Sequence, residues 1–204
     1  MKQEKRVILR DFADITVGYP FRGKIPEATG TGIYAVQMKD VISGNLISWA
    51  RCIETELKGK KKPVWLKMGD VLVAARGNSN YAALVGPEAD EVNSVASPHF
   101  FVLSNYSPKV SPQYLQWFIN QSPSQRYFQR EAEGTLTKSI RRAVLENLPI
   151  AVPSIEKQEK IVQLYITMLQ EQILLKQLTL NAEVLMNTIA KDLLNESNQS
   201  GLTK

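Results

Sequence analysis

From residue 154 to residue 200 the chain contains neither proline nor glycine, and this stretch limits what the chain can fold into more than any other feature. It opens at "VPSIEKQEKIV", where Ser154 is a candidate N-cap and Glu156 and Glu159 lie in the first turn, the end of a helix at which carboxylates are favoured. Lys157 at the third position leaves the capping box incomplete. Counting heptads from Ile161 places Ile161, Leu164, Met168, Glu171, Leu175, Leu178, Ala182, Leu185 and Ile189 on one seam, and only Glu171 is polar. A helix of about 40 residues would rise roughly 60 Å. A seam that long cannot be covered by the chain's own domain beyond its first turns, and no other segment is long enough to pair with it. The pattern predicts a coiled-coil helix over 154–196 that makes a homodimer, with docking onto a different protein as the other outcome, and a flexible tail over 197–204.

The segments before Pro153 have a different period. "GIYAVQMKDVISGNLI" (32–47) reads as a strand, a polar Lys39-Asp40 pair and a hairpin turn at Ser43-Gly44-Asn45. "KMGDVLVAARGNSN" (67–80) reads as a Gly69-Asp70 turn, a buried strand over 71–75 and a polar loop. "SPHFFVLS" (97–104) is a further strand. Ser111-Pro112 and Ser122-Pro123 each place a candidate N-cap before a proline at the first helical position, so two short helices should follow, the second ended by Gly134. After a polar loop and a helical turn, "LPIAVP" is a strand-like closing run. The predicted class is α+β: residues 1–153 form a curled, mostly antiparallel β-rich domain with short helices, followed by the long C-terminal helix.

Charge separates the same two parts. Residues 1–150 carry 20 basic and 14 acidic side chains, net +6, and residues 151–204 carry 5 and 6, net −1. The excess positive charge therefore belongs to the globular part, which suits a polyanion-binding head on a protein-binding helix. One cysteine, Cys52, cannot form an internal disulfide, and no Cys/His spacing resembles a zinc site. The first 18 residues lack a signal-peptide core and no segment has the apolar length of a membrane span, so a cytoplasmic location is expected.

Catalytic and cofactor signatures are sparse. The sole histidine, His99, lies in an apolar strand pattern with no nucleophile to serve. "GTGIYA" at Gly30 lacks the third glycine and the helix of a dinucleotide loop, and there is no Walker motif or Asn-Pro-Pro-Tyr/Phe methyltransferase signature. No cofactor or metal is expected. Asp40 with Glu56-Leu57-Lys58 could be arranged as a metal-dependent nuclease set, but a triplet of that kind arises easily by chance in a chain with 22% charged residues.

Three clusters could meet a nucleic acid. "KGKKKP" (58–63) offers Lys58, Lys60, Lys61 and Lys62 to phosphates, which reward ammonium groups whatever the sequence. "RGNSNY" (76–81) combines Arg76 with Asn78 and Asn80, side chains able to read guanine and adenine edges. "TLTKSIRR" (135–142) adds Thr137, Lys138, Arg141 and Arg142 before a short helix. As ordinary surface, the first would be a solvated loop and the second a turn.

In order along the chain, "LRDFADITVGYPFRGK", "YAVQMKDVISGNL", "GDVLVAARGN" and "GTLTKSIRRAVLENLPIAVPSIEKQEKIV" resemble segments of the specificity subunits of type I restriction-modification systems. The last resembles the junction at which a target-recognition domain ends in a Pro-rich strand and a spacer helix begins with Glu-x-Gln-x-x-Ile. The resemblance implies a non-catalytic subunit whose globular part reads half of a bipartite site in double-stranded DNA. Its helix would hold two such domains apart and dock the modification methyltransferase subunits, with a restriction subunit as a further partner. Family members usually hold two recognition domains and two spacer helices, whereas this sequence shows one of each, so it reads as a half-length form. Two copies pairing their helices antiparallel would restore the arrangement and read a symmetric, interrupted site. The alternative implied by the same helix is an interaction scaffold, or degenerate specificity subunit, that binds partner subunits without reading DNA.

Overall fold

The computed structural model of the protein describes residues 7–42, 46–59, 61–77, 79–134 and 139–200, the last five of these as backbone only. The chain divides into two compact units, Met1–Val162 and Gln163–Lys204.

The centre of the first unit is an antiparallel sheet in the order β1 (Asp14–Val17), β9 (Phe100–Ser104), β6 (Val71–Ala74), β7 (Ala82–Leu84). The runs "VLVA" and "FFVL" do not alternate apolar with polar residues because both faces of this sheet are covered. Val71, Val73, Phe101 and Leu103 join one core with residues of the helices α1 (Pro112–Ile119), α2 (Ser122–Glu131) and α3 (Arg142–Glu146). Leu72, Ala74, Phe100 and Val102 join a second core with Val36 and Ala96 of the other sheet. In that sheet β2 (Ile33–Val36) lies between β5 (Ile53–Glu54), antiparallel to it, and β8 (Asn93–Ala96), parallel to it. The short pair β3 (Val41–Ile42) and β4 (Leu46–Ile47) forms the predicted hairpin, with Ile42 opposite Leu46; its turn residues Ser43, Gly44 and Asn45 lie outside the described residues.

α1 begins as its sequence predicts, with the Ser111 hydroxyl accepting from Tyr114 N–H at 3.1 Å and Pro112 in the first turn. α2 does not. Its cap is Gln121, so Ser122 is already helical, and it ends at Glu131 rather than running to Gly134. Gln121 gains this place because its side-chain amide donates to Trp117 C=O at 2.8 Å, which ties the linker to the end of α1. The closing run pairs with the start of the chain: Leu9 N–H donates to Leu148 C=O and Ile150 N–H to Val7 C=O, both at 3.0 Å.

α4 is Ile155–Ser200, and its first two turns belong to the first unit. Ser154 C=O accepts from Gln158 N–H at 3.0 Å, which places Ser154 at the helix start. Gln158 itself is fully buried. Its Oε1 accepts from Ser111 N–H at 2.9 Å, and its Nε2 donates to Lys109 C=O and Pro153 C=O, both at 2.8 Å. Ile161 and Val162 pack partly buried against the helical core. Ile161 is therefore spent inside its own unit, and the seam predicted for a partner starts at Leu164 instead. From there Leu164, Met168, Leu175, Leu178, Leu185 and Ile189 are all exposed. A second apolar stripe, not predicted, runs through Ile166, Ile173, Leu180 and Leu194, also exposed, at spacings of seven or twice seven. At 100° per residue it lies about 170° round the helix from the centre of the first.

Candidate nucleic-acid interface

The site is built around a turn that sequence reasoning did not nominate for DNA contact, "YPFRGK" (19–24). Gly18 precedes it and packs directly on the backbone of Ser97: a β-carbon at Gly18 would lie 2.0 Å from Ser97 C=O. The approach is held by Gly18 N–H donating to Phe100 C=O at 3.0 Å and Tyr19 N–H to Ala96 C=O at 2.8 Å. Only glycine permits this contact, and it sets the 19–24 turn beside the end of β8 and the start of β9. Within the turn, Gly23 adopts φ +76°, the left-handed conformation that lets the chain reverse between Arg22 and Lys24, both exposed.

Tyr19 carries the turn toward the lysine loop. Its ring is buried against Phe21, edge to face with centroids 4.9 Å apart, and its hydroxyl accepts from Gly59 N–H at 2.8 Å. A groove of about 360 Å³ results, with Arg22, Lys24 and Lys58 on its walls. Lys58 ion-pairs with Glu56 there. Lys61 and Lys62 are exposed beyond it, and Lys60 lies outside the described residues.

On the other side of residues 21–24 lies a second groove of about 470 Å³, lined among others by Phe21, Lys24, Gln37, Met38, Lys39 and His99. His99 precedes β9 rather than lying within it, and it is half-buried at this groove. Burial, and then the neighbouring Arg76 guanidinium, lower its proton affinity below the ordinary histidine value. The imidazole is consequently neutral at neutral pH, with one nitrogen to donate and one to accept.

The loop of Arg76 adjoins the groove. Ala75 N–H donates to His99 C=O at 2.8 Å, and a β-carbon on Gly77, whose φ is +115°, would lie 3.0 Å from Met38 Cε. Arg76 forms a β-bridge with Ser139, and Ile140 N–H donates to Ala75 C=O at 2.8 Å. Ser139 also bridges Glu133, so the third predicted cluster is clamped beside the second. Thr137, Lys138 and Asn78 lie outside the described residues. Arg141 and Arg142 are exposed and pair with Glu133 at 2.6 Å and Glu146 at 2.7 Å.

Asn80 departs from its predicted role. It is 7% exposed, and its amide donates to Ala74 C=O at 2.8 Å, closing the loop between β6 and β7. Polar side chains in a two-strand connection are as readily used to tie the connection as to read a base, and burial decides here for the former. The nuclease set, dismissed from sequence as a chance pattern, has its members in different surroundings. Asp40 is fully buried, with its Oδ2 accepting from Gln37 N–H at 2.8 Å, and burial raises its carboxyl above the ordinary range. It is closed off from the exposed Glu56–Lys58 pair. Among the described residues no cluster of three or more His, Cys, Asp or Glu could hold a metal ion, and no helix is long and apolar enough to cross a membrane.

Basic side chains from segments far apart in sequence thus line the two grooves, Arg22, Lys24, Lys39 and Lys58, with His99 among them and Arg76 next to His99. The signal for Arg22 and Lys24 was present in "FRGK", a glycine turn flanked by two cations. Lys39 carried no signal, because its place depends on the turn of residues 38–40 that precedes β3.

Comparison with known proteins agrees with this architecture. The profile of the type I restriction modification DNA specificity domain matches residues 5–186. Among solved structures, the HsdS subunit from Thermoanaerobacter tengcongensis superposes with a TM-score of 0.58 at 19% identity, over 84% of this chain and 38% of that one. A chain of a type I R-M system, described for its complex assembly and conformational transition, superposes with a TM-score of 0.60 at 16% identity, over 84% and 39%. At such identities the likeness is one of fold. The chain spans about two fifths of the length of these two solved chains. No curated protein matches it.

Proposed function

The chain belongs to the family of type I restriction modification DNA specificity domains, and on that premise we propose that residues 1–153 recognise a DNA sequence without catalysing a reaction on it. The observation that carries this reading is the convergence of cations on the grooved face of the first unit. Lys58, Lys60, Lys61 and Lys62 supply phosphate contacts, and Arg76 and Asn78 reach base edges. Thr137, Lys138, Arg141 and Arg142 extend the contact. The ion pairs of Arg141 and Arg142 are exposed, and surface pairs of that kind contribute about 0–1 kcal/mol, so exchanging Glu133 and Glu146 for phosphates costs little. Asn80 supports the loop from within.

Residues 154–196 act as the pairing helix. Leu164, Met168, Leu175, Leu178, Leu185 and Ile189 pack against the same residues of a second copy running antiparallel, giving a homodimer whose two heads read a bipartite site. The second stripe, through Ile166, Ile173, Leu180 and Leu194, suits a helix covered on two faces, as in a bundle. Its partner on that face is a modification methyltransferase subunit, to which the DNA sequence read by the heads is thereby delivered; a restriction subunit would join the same assembly.

The test is selection from a random duplex pool by the full chain together with modification subunits. Enrichment of two half-sites separated by a constant gap is the expected result. Assembly with those subunits but no enriched sequence would contradict sequence reading and favour a scaffold that only binds partners.

A further inference from the structure

The second groove contains polar groups that the fold itself does not use. Ser97 is 1% exposed, and its Oγ, like the buried Nε2 of Gln37, has no hydrogen-bond partner among the described residues. A buried donor left unpaired is costly, so a native site that keeps two of them beside one groove is suited to a ligand that supplies their partners. The neutral imidazole of His99 lies on the same groove. Lys24 and Lys39 are exposed on its walls and take part in no ion pair among the described residues, unlike Lys58, Arg141 and Arg142.

Two exposed ammonium groups beside a set of hydrogen-bonding groups match the two chemistries of one DNA strand, a phosphate backbone and a base edge. We propose that this groove is a specificity-determining part of the DNA interface, with Lys24 and Lys39 on phosphates and Gln37, Ser97 and His99 meeting one base. The assignment rests on the DNA-reading function proposed above and adds residues to it. Phe21, held by Tyr19, and Met38 form the apolar shoulders of the groove and leave its polar groups as the only ones that discriminate between bases. Arg76 borders the same groove, so base contacts from both sets fall on neighbouring positions of one half-site.

The roles separate experimentally in the full chain, by selection from a random duplex pool and by titration of affinity against salt. Lys24→Ala combined with Lys39→Ala is expected to weaken binding to all sequences alike and to reduce the slope of log K against log salt by about 2, the value for two lost phosphate contacts. Gln37→Ala and Ser97→Ala are expected to leave that slope unchanged and to relax preference at one position of the selected motif by roughly ten- to hundredfold. Ser97→Ala removes a hydroxyl that has no hydrogen-bond partner among the described residues, so its thermal midpoint stays at or above that of the parent and it carries the test if Gln37→Ala folds poorly. An unchanged motif in Ser97→Ala and an unchanged slope in the double lysine variant, with the parent still selecting a sequence, would overturn this assignment alone. A parent that selects no sequence would overturn it together with the function on which it rests.

Discussion

At the scale of single residues, Gln158 explains why the most distinctive stretch of the sequence has the form it does. The glutamine of the Glu-x-Gln-x-x-Ile segment is fully buried and serves three backbone groups, from Lys109, Ser111 and Pro153. Gln158→Ala should therefore destabilise the full chain by about 3 kcal/mol, read as a lower urea midpoint with an unchanged slope. Glu54 behaves oppositely with pH. The amides of Gly32 and Gly30 donate to its carboxylate at 2.5 and 2.9 Å and hold it below its ordinary value of 4.5. The unfolded chain thus binds that proton at a higher pH than the folded one, so the contribution is complete above about pH 4.5 and declines as pH falls through the lowered folded value. Glu54→Gln should flatten this part of the stability curve in urea melts taken at a series of acid pH values. Cys52 is half-buried and its thiol is pushed up to about 12, chiefly by burial and then by Asp40. It should resist alkylation at neutral pH in the native protein and react readily in denaturant.

At the scale of elements, local signals were legible in the sequence where one segment determines its own geometry. Ser111-Pro112 starts α1 because a hydroxyl cap and a proline both suit a helix N-terminus whatever surrounds them. The same signal misplaced the start of α2, where Gln121 is tied to the preceding helix by a contact no local pattern announces. The heptad from Ile161 was visible, but the fate of Ile161 was not: whether a seam residue faces a partner or its own domain depends on where the helix is anchored, and Gln158 sets that. The stripe through Ile166, Ile173 and Leu180 went unread because a single-seam count assigns those positions to solvent. A charge on either stripe should act differently. Leu178→Glu is expected to yield a folded monomer in sedimentation, whereas Leu180→Glu should leave the homodimer intact and weaken capture of the methyltransferase subunit.

For the whole molecule, the proposed DNA interface was only partly legible, and the reason is topological. The grooves join residues 21–24, 37–39, 58–59 and 97–99, which the parallel pairing of β2 with β8 and the close approach of Gly18 to Ser97 bring to one face. The lysine run stands out by its charge and the Arg76 loop by a guanidinium next to two asparagines, whereas Arg22 and Lys24 make only a short cationic turn and Lys39 is isolated in sequence. The two-part DNA site proposed above requires two heads, the second brought by a partner helix along the seam that starts at Leu164. Sedimentation equilibrium of the full chain tests this most directly. The prediction is a species of twice the 22.9 kDa chain mass that persists at micromolar concentration and reverts to one chain mass in Leu178→Glu. A parent chain that sediments at 22.9 kDa across that range would contradict it.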